Sequence, residues 1–352
     1  MQLHENLPLA PFTTFKIGGP ARFFVEARTT SEVSEALRFA QSKNLPLFIL
    51  GGGSNLLVSD SGWPGLVLKV GITGIEERRE DDKLMFEAGA GEDWDTFVAR
   101  AIACNCSGVE CLSGIPGNVG GTPVQNVGAY GQEVSETIAS VLVLDLKDGQ
   151  MRELCNQACG FAYRSSIFNS SERGRFIILR VTYALTPEGE PLLRYSDLQR
   201  YFSVAPKRPS LSEVRAAVRA IRSEKGMLIT LDDPDCRSAG SFFKNPILSE
   251  AQYCDLCQRA EAMSLHVPRY PALEQQHKIS AAWLVEHSGF AKGYTLGEAA
   301  ISKKHALAIV NRGNASAADV VALKEQIQEK VLKDWNVELQ PEPVFVGFTP
   351  EA

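Results

Sequence analysis

SGIPGNVGGTPVQNVGAYGQEV, residues 113–134, contains six glycines in 22 positions and neither lysine nor arginine. Glycine-rich loops bring backbone N–H groups close to an anion such as a phosphate. A P-loop adds a cation, but its Gly-Lys-Ser/Thr ending is absent here. The stretch therefore predicts binding by backbone amides alone, and tight turns without a ligand are the alternative.

A second glycine stretch, GGGSNLLV (residues 51–58), directly follows the apolar strand pattern LPLFIL (residues 45–50). Neither stretch has the spacing of a Rossmann turn, because residues 51–53 are GGG and Gly117 with Gly120 forms only a GxxG. One such loop is typical of a tight turn. Two in one chain favour a shared ligand, such as the two phosphates of a dinucleotide.

The composition narrows the class of protein. A chain of 352 residues exceeds an ordinary single core, so two or three subdomains are expected. The net charge of −6 disfavours nucleic-acid binding, which needs a basic surface. The sequence has no signal-peptide pattern and no apolar window long enough for a membrane span, which predicts a cytoplasmic protein without membrane attachment. The absence of a coiled-coil pattern favours a monomer.

The cysteines do not indicate a metal site. Cys254 and Cys257 form a single CxxC, and neither a second CxxC nor an HxxxH follows at zinc-site spacing. Eight cysteines in a chain of this length are also too sparse for a disulfide scaffold. We therefore expect reduced, mostly buried thiols and no bound metal.

Strand and helix patterns alternate along the chain and predict a mixed α/β fold. Apolar runs predict strands at residues 21–27, 45–50, 65–70, 83–91, 138–146, 176–185 and 308–310. Helical spacing predicts helices at residues 31–41, 93–104, 212–225, 249–263, 278–288 and 316–335. Ser210 with Glu213 has the spacing of a capping box, and Ser316 is the predicted N-cap of the last helix. The Pro- and Asp-rich stretch at 231–236 is typical of a subdomain edge.

Six stretches in order resemble the UDP-N-acetylenolpyruvoylglucosamine reductase family, over about residues 12 to 346. They are FKIGGPARFFVEA, GGGSNLLV, SGIPGNVGGTPVQNVGAYG, FAYRSSIF, AGSFFKNP and KISAAWLVE. The resemblance implies an α+β fold with an FAD-binding domain of the vanillyl-alcohol-oxidase type, built from subdomains at residues 1–71 and 72–222. A smaller α+β substrate-binding domain is implied at residues 223–337, and the tail, about 338–352, is expected to return to the first subdomain.

The resemblance also implies the ligands. FAD is held non-covalently, NADPH donates the hydride, and the substrate is a UDP-sugar whose enolpyruvyl group is reduced. The FAD contacts that it implies are Gly51, Gly52, Gly53, Ser54, Asn55, Leu56, Ser113, Gly114, Ile115, Pro116, Gly117, Gly120, Gly121, Thr122, Gly128, Ala129, Tyr130 and Gly131.

Hydride addition to an enol ether builds negative charge, so the site needs a cation or hydrogen-bond donors and a proton donor. By resemblance, Arg164 contacts the substrate carboxylate and enolate, and Ser241 donates the proton. Glu342 assists the same chemistry, although Pro343 departs from the family pattern and leaves Glu338 as an alternative. The structural alternatives are a surface ion pair for the arginine, a turn or cap for the serine and an exposed loop carboxylate for the glutamate.

Further residues match the substrate-binding positions of the family: Tyr163, Tyr195, Lys225, Asn245 and His287. A core aromatic residue is the alternative for Tyr163, and a helix-end residue is the alternative for His287. Arg222 also lies near these positions, but its spacing differs among family variants, and a helix end rich in Arg and Lys is ordinary dipole complementation.

Other functions fit less well. A flavin oxidase with a covalent flavin would need a histidine, and none of the five lies in either glycine stretch. A non-catalytic UDP-sugar-binding protein would need neither Arg164 nor Ser241. A phosphotransferase is disfavoured by the missing P-loop lysine.

Overall fold

The computed structural model describes residues 1–203, 207–230, 233–270 and 275–348. Its α-helices are α1 (Thr30–Ser42), α2 (Trp94–Ala103), α3 (Ser196–Tyr201), α4 (Leu211–Glu224), α5 (Glu250–Glu261), α6 (Ala281–His287) and α7 (Ala317–Trp335). Its strands are β1 (Leu3–Pro8), β2 (Pro20–Ala27), β3 (Leu47–Leu50), β4 (Leu56–Val58), β5 (Trp63–Val70), β6 (Ile75–Glu80), β7 (Lys83–Gly89), β8 (Cys106–Ser107), β9 (Gly128–Ala129), β10 (Gln132–Glu133), β11 (Ile138–Asp145), β12 (Met151–Cys155), β13 (Phe176–Pro187), β14 (Ile247–Ser249), β15 (Arg269–Tyr270), β16 (Gln276–Ile279), β17 (Thr295–Leu296), β18 (Ala299–Ile301), β19 (Ile309–Asn311) and β20 (Val344–Val346).

Mixed helix and sheet content confirms the predicted fold class. Both predicted caps form. Ser210 and Glu213 bind each other's backbone N–H at the start of α4, and Ser316 accepts from the N–H of Asp319 at the start of α7. Among the strands that the pattern did not indicate, β1 and β6 are short of apolar residues and mostly exposed. Periodicity could not identify them, because no buried face repeats along them.

The helix predicted at residues 278–288 is wrong at its start. Lys278 and Ile279 belong to β16, where they pair with β14 and β15. The helix begins only at Ala281, because Ser280 accepts from the N–H of Trp283 and Asn245 Oδ1 accepts from the N–H of Ala281. These two acceptors satisfy backbone donors that have no partner within the helix, and they fix its first turn. Of the stretch 231–236, residues 231 and 232 lie outside the described part of the chain.

The chain divides into two compact units, and unit 1 comprises Met1–Leu7, Ala21–Gly53 and Pro64–Glu224. It contains a sheet in the order β1-β2-β5-β3 and a larger sheet in the order β12-β11-β13-β7-β6, with β8 beside β13. Strands β3 and β5 are parallel, whereas the neighbours in the larger sheet are antiparallel. Helix α2 packs Trp94, Phe97 and Val98 into the core of this unit, as its apolar spacing predicts.

Unit 2 comprises Pro8–Pro20, Ser54–Trp63 and Lys225–Ala352. Its sheets have the orders β14-β16-β15 and β17-β18-β19, and β20 pairs in parallel with β4. The buried stripe of α7 forms much of its core, including Val320, Leu323 and Ile327. The predicted division into domains at 1–71, 72–222 and 223–337 stays a prediction.

Candidate active site

The two glycine stretches contact each other in unit 1. A Cβ atom built on Gly52 would lie 2.5 Å from Gly117 Cα and 2.7 Å from the side-chain oxygen of Asn118. Only glycine fits at this distance, because real Cβ atoms are not found below 3.0 Å. The structure thus brings together the two loops that the sequence analysis assigned to one ligand.

Other glycines of the same loops leave open space beside the backbone. A Cβ atom built on Gly51 or on Gly121 would have no heavy atom within 4 Å, and neither residue has a positive φ. Gly120 differs, because its Cβ would lie 2.6 Å from Ala90 Cβ. Packing and turn geometry do not explain why Gly51 and Gly121 lack side chains. The open space beside their partly exposed backbone fits a ligand that approaches closely, as a diphosphate does.

The far end of the 113–134 stretch is a hairpin in which β9 pairs with β10. Its two loop residues, Tyr130 and Gly131, have φ of +49° and +83°, which is the requirement of a type I′ turn. The ring of Tyr130 meets the ring of Tyr195 edge-on, with centroids 5.5 Å apart. Because Tyr195 is 41% exposed, its side chain is accessible while in contact with the hairpin.

Arg164 lies in a tight turn next to this hairpin. Ala162 and Ser165 exchange backbone hydrogen bonds of 2.9 and 3.0 Å, and Arg164 has a φ of +54°. Asn169 donates to the Arg164 carbonyl. The guanidinium lies 5.5 Å from the centre of the Tyr163 ring, and its Nη1 would be 3.4 Å from a Cβ on Gly128. The arginine and Tyr163 are therefore neighbours of the glycine hairpin, and the Arg164 Nε is buried.

In unit 2, Ser241 and Glu342 lie on adjacent backbone segments. The Glu342 N–H donates to the carbonyl of Phe242, the residue after Ser241, at 2.8 Å, and Lys244 donates to Gln340 at 2.9 Å. Asn55 donates from its side chain to the Glu342 carbonyl at 3.3 Å. Ser241 and Glu342 are partly buried residues. The structure therefore brings together two residues that are distant in the sequence.

The other predicted substrate contacts of unit 2 take part in the local structure. Asn245 Oδ1 accepts from the first N–H of α6, as described above. His287 stacks on Trp283, with ring centroids 4.3 Å apart, and its Nδ1 lies 2.8 Å from the Trp283 carbonyl. Lys225 precedes Gly226, whose φ is +64°. Their contacts with a substrate stay predictions, and the structure gives His287 a packing role at the end of its helix.

The side chains that hold the start of the glycine loop were not expected in this role from the sequence. Arg222 donates from Nε to the Gly114 carbonyl at 3.0 Å, and Asp95 accepts from the Gly114 N–H at 2.6 Å. Arg215 and Arg219 both bind this carboxylate. A signal was present in the sequence, because arginines at 215, 219 and 222 recur with helical spacing on α4.

The described cysteines and acidic residues form no metal centre. Within residues 1–203, 207–230, 233–270 and 275–348, no group of three or more His, Cys, Asp or Glu side chains could hold a metal ion. All eight cysteines are free. The expectation that most are buried is wrong for half of them: Cys104 and Cys257 are partly exposed, and Cys155 and Cys254 are exposed. Among the described residues, no helix has the length and apolar character needed to cross a membrane.

Comparison with known proteins agrees with this arrangement. Residues 21–154 match the FAD binding domain family, and residues 232–346 match the C-terminal domain of UDP-N-acetylenolpyruvoylglucosamine reductase. Curated proteins named UDP-N-acetylenolpyruvoylglucosamine reductase are 44% identical in Thermobifida fusca, with 98% of both chains covered, and 42% identical in Streptomyces avermitilis, with 98% of this chain and 95% of the relative covered.

A solved structure gives the same result. The crystal structure of UDP-N-acetylenolpyruvylglucosamine reductase from Thermus caldophilus superposes with a TM-score of 0.67 at 26% identity, covering 98% of this chain and 99% of that chain. The FAD-binding domain expected from the sequence is confirmed. On this evidence, the chain belongs to the UDP-N-acetylenolpyruvoylglucosamine reductase family.

Proposed function

We propose that this chain catalyses the NADPH-dependent reduction of the enolpyruvyl group of UDP-N-acetylglucosamine-enolpyruvate, giving UDP-N-acetylmuramate for peptidoglycan precursor synthesis. Membership of the family over 98% of the chain supports this activity. FAD, when bound, supplies the chemistry of taking up a hydride from NADPH and returning it to the substrate alkene. The chain's own residues bind the cofactor and substrate, stabilise negative charge and supply a proton.

The observation that carries the proposal is the backbone pairing of the Ser241 and Glu342 segments in unit 2. A serine hydroxyl has little intrinsic acidity, but hydride addition to one alkene carbon leaves the π electron pair on the neighbouring carbon, which becomes a strong base. The Ser241 Oγ–H is proposed to donate the proton to this carbon. Because the Glu342 N–H binds the Phe242 carbonyl, the carboxylate of Glu342 is carried on the neighbouring segment. We propose that it assists the proton transfer and the enolate chemistry.

Arg164 is proposed to bind the substrate carboxylate and the enolate that develops from it. A guanidinium is permanently charged and presents two parallel N–H donors, which suits a planar carboxylate. Its turn is held by Asn169 and by the Ala162–Ser165 pair, so the backbone beneath the guanidinium is fixed before substrate binds. A preorganised charge of this kind stabilises the transition state without reorganisation during the reaction.

The glycine loops fit FAD on the evidence of this structure. We propose that the open space beside Gly51 and Gly121, where an added Cβ atom would meet no protein atom, is a cradle for FAD. We propose that amides of the 51–56 and 113–122 segments and the 128–131 hairpin bind the cofactor. The residues proposed to contact the UDP-sugar are Tyr163, Tyr195, Lys225, Asn245 and His287. The predicted division into three domains is also part of this proposal.

The ligands of the protein are small molecules, the nucleotide sugar and the nicotinamide cofactor. We propose a cytoplasmic monomer that binds neither nucleic acid nor membrane, in keeping with the net charge of −6. Size-exclusion chromatography with light scattering tests the monomer directly, and a mass of two or more chains would contradict it.

An anaerobic absorbance titration tests the activity. The purified protein should show the visible bands of oxidised flavin, which NADPH should bleach and the enolpyruvyl UDP-sugar should then restore. UDP-N-acetylglucosamine, which lacks the alkene, is the matched control and should leave the bleached state unchanged. A protein that takes up no FAD would overturn the proposal and favour a UDP-sugar-binding protein. A flavin that NADPH bleaches but the substrate never re-oxidises would also overturn it and favour another flavin oxidoreductase.

A further inference from the structure

Helix α4 directs a row of arginines at the start of the glycine loop. Arg215, Arg219 and Arg222 recur at intervals of four and three residues, so they lie along one side of the helix. Val214, Val218 and Ile221 are buried on another side and pack in a small cluster with Cys111 and Leu198. The apolar side therefore fixes the rotation of α4, and this rotation determines where the arginines point.

The target of two of these arginines is Asp95, in the first turn of α2. Arg215 binds both carboxylate oxygens, at 2.6 and 2.9 Å, and Arg219 binds Oδ2 at 2.5 Å. Burial alone would raise the pKa of Asp95, but hydrogen bonds from Arg215 and from the Gly114 N–H, with the charge of Arg219, hold it below its ordinary value. The carboxylate is thus ionised throughout the physiological pH range, and it is bound by the two arginines and by the Gly114 N–H.

Besides the two arginines, the Asp95 carboxylate binds the glycine loop at Gly114. Asp95 Oδ1 accepts from the Gly114 N–H, and Arg222 donates to the Gly114 carbonyl, so both backbone groups of this glycine are bound by side chains. Gly114 has a φ of +72°, the left-handed region that a free loop would leave readily. The preceding Ser113 is also held, because its hydroxyl donates to the Glu110 carbonyl at 2.6 Å.

We infer that Asp95 is a positioning residue for FAD: it holds Gly114 in the left-handed conformation that directs the loop toward the cofactor, and Arg215 and Arg219 hold Asp95. This inference rests on the proposed function, in which the 113–122 segment binds FAD. A loop ordered before binding does not lose its conformational entropy when the cofactor binds, so affinity is higher. Asp95 acts through the backbone and does not itself need to touch the cofactor.

The direction in which Asp95→Asn changes the Kd for FAD separates this positioning role from a purely electrostatic effect. Asp95→Asn removes a negative charge and leaves two arginines without their partner, so a purely electrostatic effect would tighten binding of the anionic FAD. The positioning role predicts the opposite, because the amide cannot accept strongly from the Gly114 N–H and two guanidinium groups together. Loss of a hydrogen bond to a charged group should raise the Kd for FAD roughly tenfold or more.

The experiment measures FAD binding to apoprotein, prepared by stripping the flavin from the full chain, through quenching of FAD fluorescence. The expected result is a Kd for Asp95→Asn at least about tenfold above wild type. Arg100→Gln is the matched control, because it removes an exposed ion pair with Glu77 from the same helix and should leave the Kd unchanged. Arg219→Gln should raise the Kd for FAD when it is introduced into wild type. It should raise the Kd by a smaller factor when it is introduced into Asp95→Asn, because both residues act through one network.

Each outcome has a distinct meaning. If wild-type apoprotein binds no FAD, the proposed function fails and this inference fails with it. If wild type binds FAD but Asp95→Asn binds it equally well or more tightly, only the inference is overturned. The inference is also overturned if Arg100→Gln weakens binding as much. If Asp95→Asn misfolds by circular dichroism, the Arg219→Gln variant decides: a Kd equal to wild type would overturn the inference.

Discussion

Arg164 and Tyr130 have φ of +54° and +49°, in a region that costs most non-glycine residues about 1–3 kcal/mol. Such residues persist only where surrounding contacts hold them. For Arg164 the contacts are the Ala162–Ser165 pair and Asn169, and for Tyr130 they are the β9–β10 hairpin. Both lie beside the glycine loop. A positive φ does not by itself mark a site, because Lys16, Glu188 and Ser264 also have one; here it shows that the local contacts hold the backbone of both residues in a fixed turn.

Substitution of Ser241 should separate the two halves of the reaction. In Ser241→Ala, bleaching of the flavin by NADPH should proceed at the wild-type rate, because no proton from Ser241 is needed. Re-oxidation by the enolpyruvyl sugar should slow by roughly 10²–10⁴-fold, the usual contribution of a positioned proton donor. Anaerobic stopped-flow absorbance measures both steps, and the first serves as the internal control. Equal slowing of both steps would show that the serine is structural.

Substitution of Gly51 or Gly121, the two glycines with open space beside them, should weaken FAD binding without destabilising the fold. Gly51→Ala and Gly121→Ala introduce a methyl group that meets no protein atom, so unfolding of the apoprotein by urea should be unchanged or slightly harder. If FAD occupies that space, overpacking of about 1–3 kcal/mol should raise its Kd by roughly 5- to 150-fold. Fluorescence titration measures this Kd.

The control for these variants is Gly52→Ala, whose methyl group would overlap Gly117. It should destabilise the apoprotein itself. The cradle interpretation would be wrong if Gly51→Ala and Gly121→Ala bound FAD with the wild-type Kd.

Among the elements, the antiparallel strands β11, β12 and β13 meet at a buried carboxylate. Asp145, at the end of β11, has no exposed side-chain surface and binds Arg175 before β13 and Arg152 on β12. Hydrogen bonds from Arg175 lower the pKa of Asp145, despite its burial, with help from the Lys147 N–H and the charge of Arg152. The strand ends are therefore joined by an ionised group as well as by the sheet.

This lowered pKa predicts how stability depends on pH. A carboxyl whose folded pKa lies below its unfolded value of about 3.9 adds stability above that value, and this stability is lost as the pH falls through the folded pKa. Urea unfolding of wild type and Asp145→Asn should therefore differ most near neutral pH, and the difference should shrink below about pH 4. Asp82→Asn, at an 83% exposed side chain, is the control and should change little. A difference that is the same at all pH values would contradict this account.

For the whole molecule, the free cysteines report on folding because their exposure differs widely. Cys106, Cys111, Cys159 and Cys236 are buried, whereas Cys155 and Cys254 are exposed. Burial raises the pKa of Cys106 to about 11 and that of Cys159 to about 12, so their reactive thiolate is scarce at neutral pH. Cys254 is exposed, but partial desolvation of its thiol and the nearby Glu250 carboxylate raise its pKa.

Alkylation of the native protein should therefore follow a fixed order. Cys155 should react first and Cys254 more slowly, and the four buried thiols should react only after urea unfolds the chain. Mass spectrometry of peptides from timed samples measures the order. Because Cys106, Cys111 and Cys159 belong to unit 1 and Cys236 to unit 2, the same samples report the unfolding of each unit. Rapid labelling of Cys111 without denaturant would contradict the burial described here.

The sequence alone was sufficient for the features that depend on local patterns. Apolar periodicity predicted α2 and α7 with their buried faces, and the short-range spacing of Ser210 with Glu213 predicted the start of α4. Six motifs in order predicted the family and the FAD-binding domain. These predictions succeeded because side-chain period, capping and motif order are properties of neighbouring residues.

Tertiary structure alone decided the features that join distant residues. The contact of Gly52 with Gly117, the pairing of the Ser241 and Glu342 segments, and the binding of Gly114 by Asp95 and Arg222 each link segments far apart in the chain. The start of α6 at Ala281 likewise depends on Asn245, which is remote in sequence. No local pattern encodes such distances, because they result from how the sheets and helices pack, and packing also decides which glycines fill space and which leave it open for a ligand.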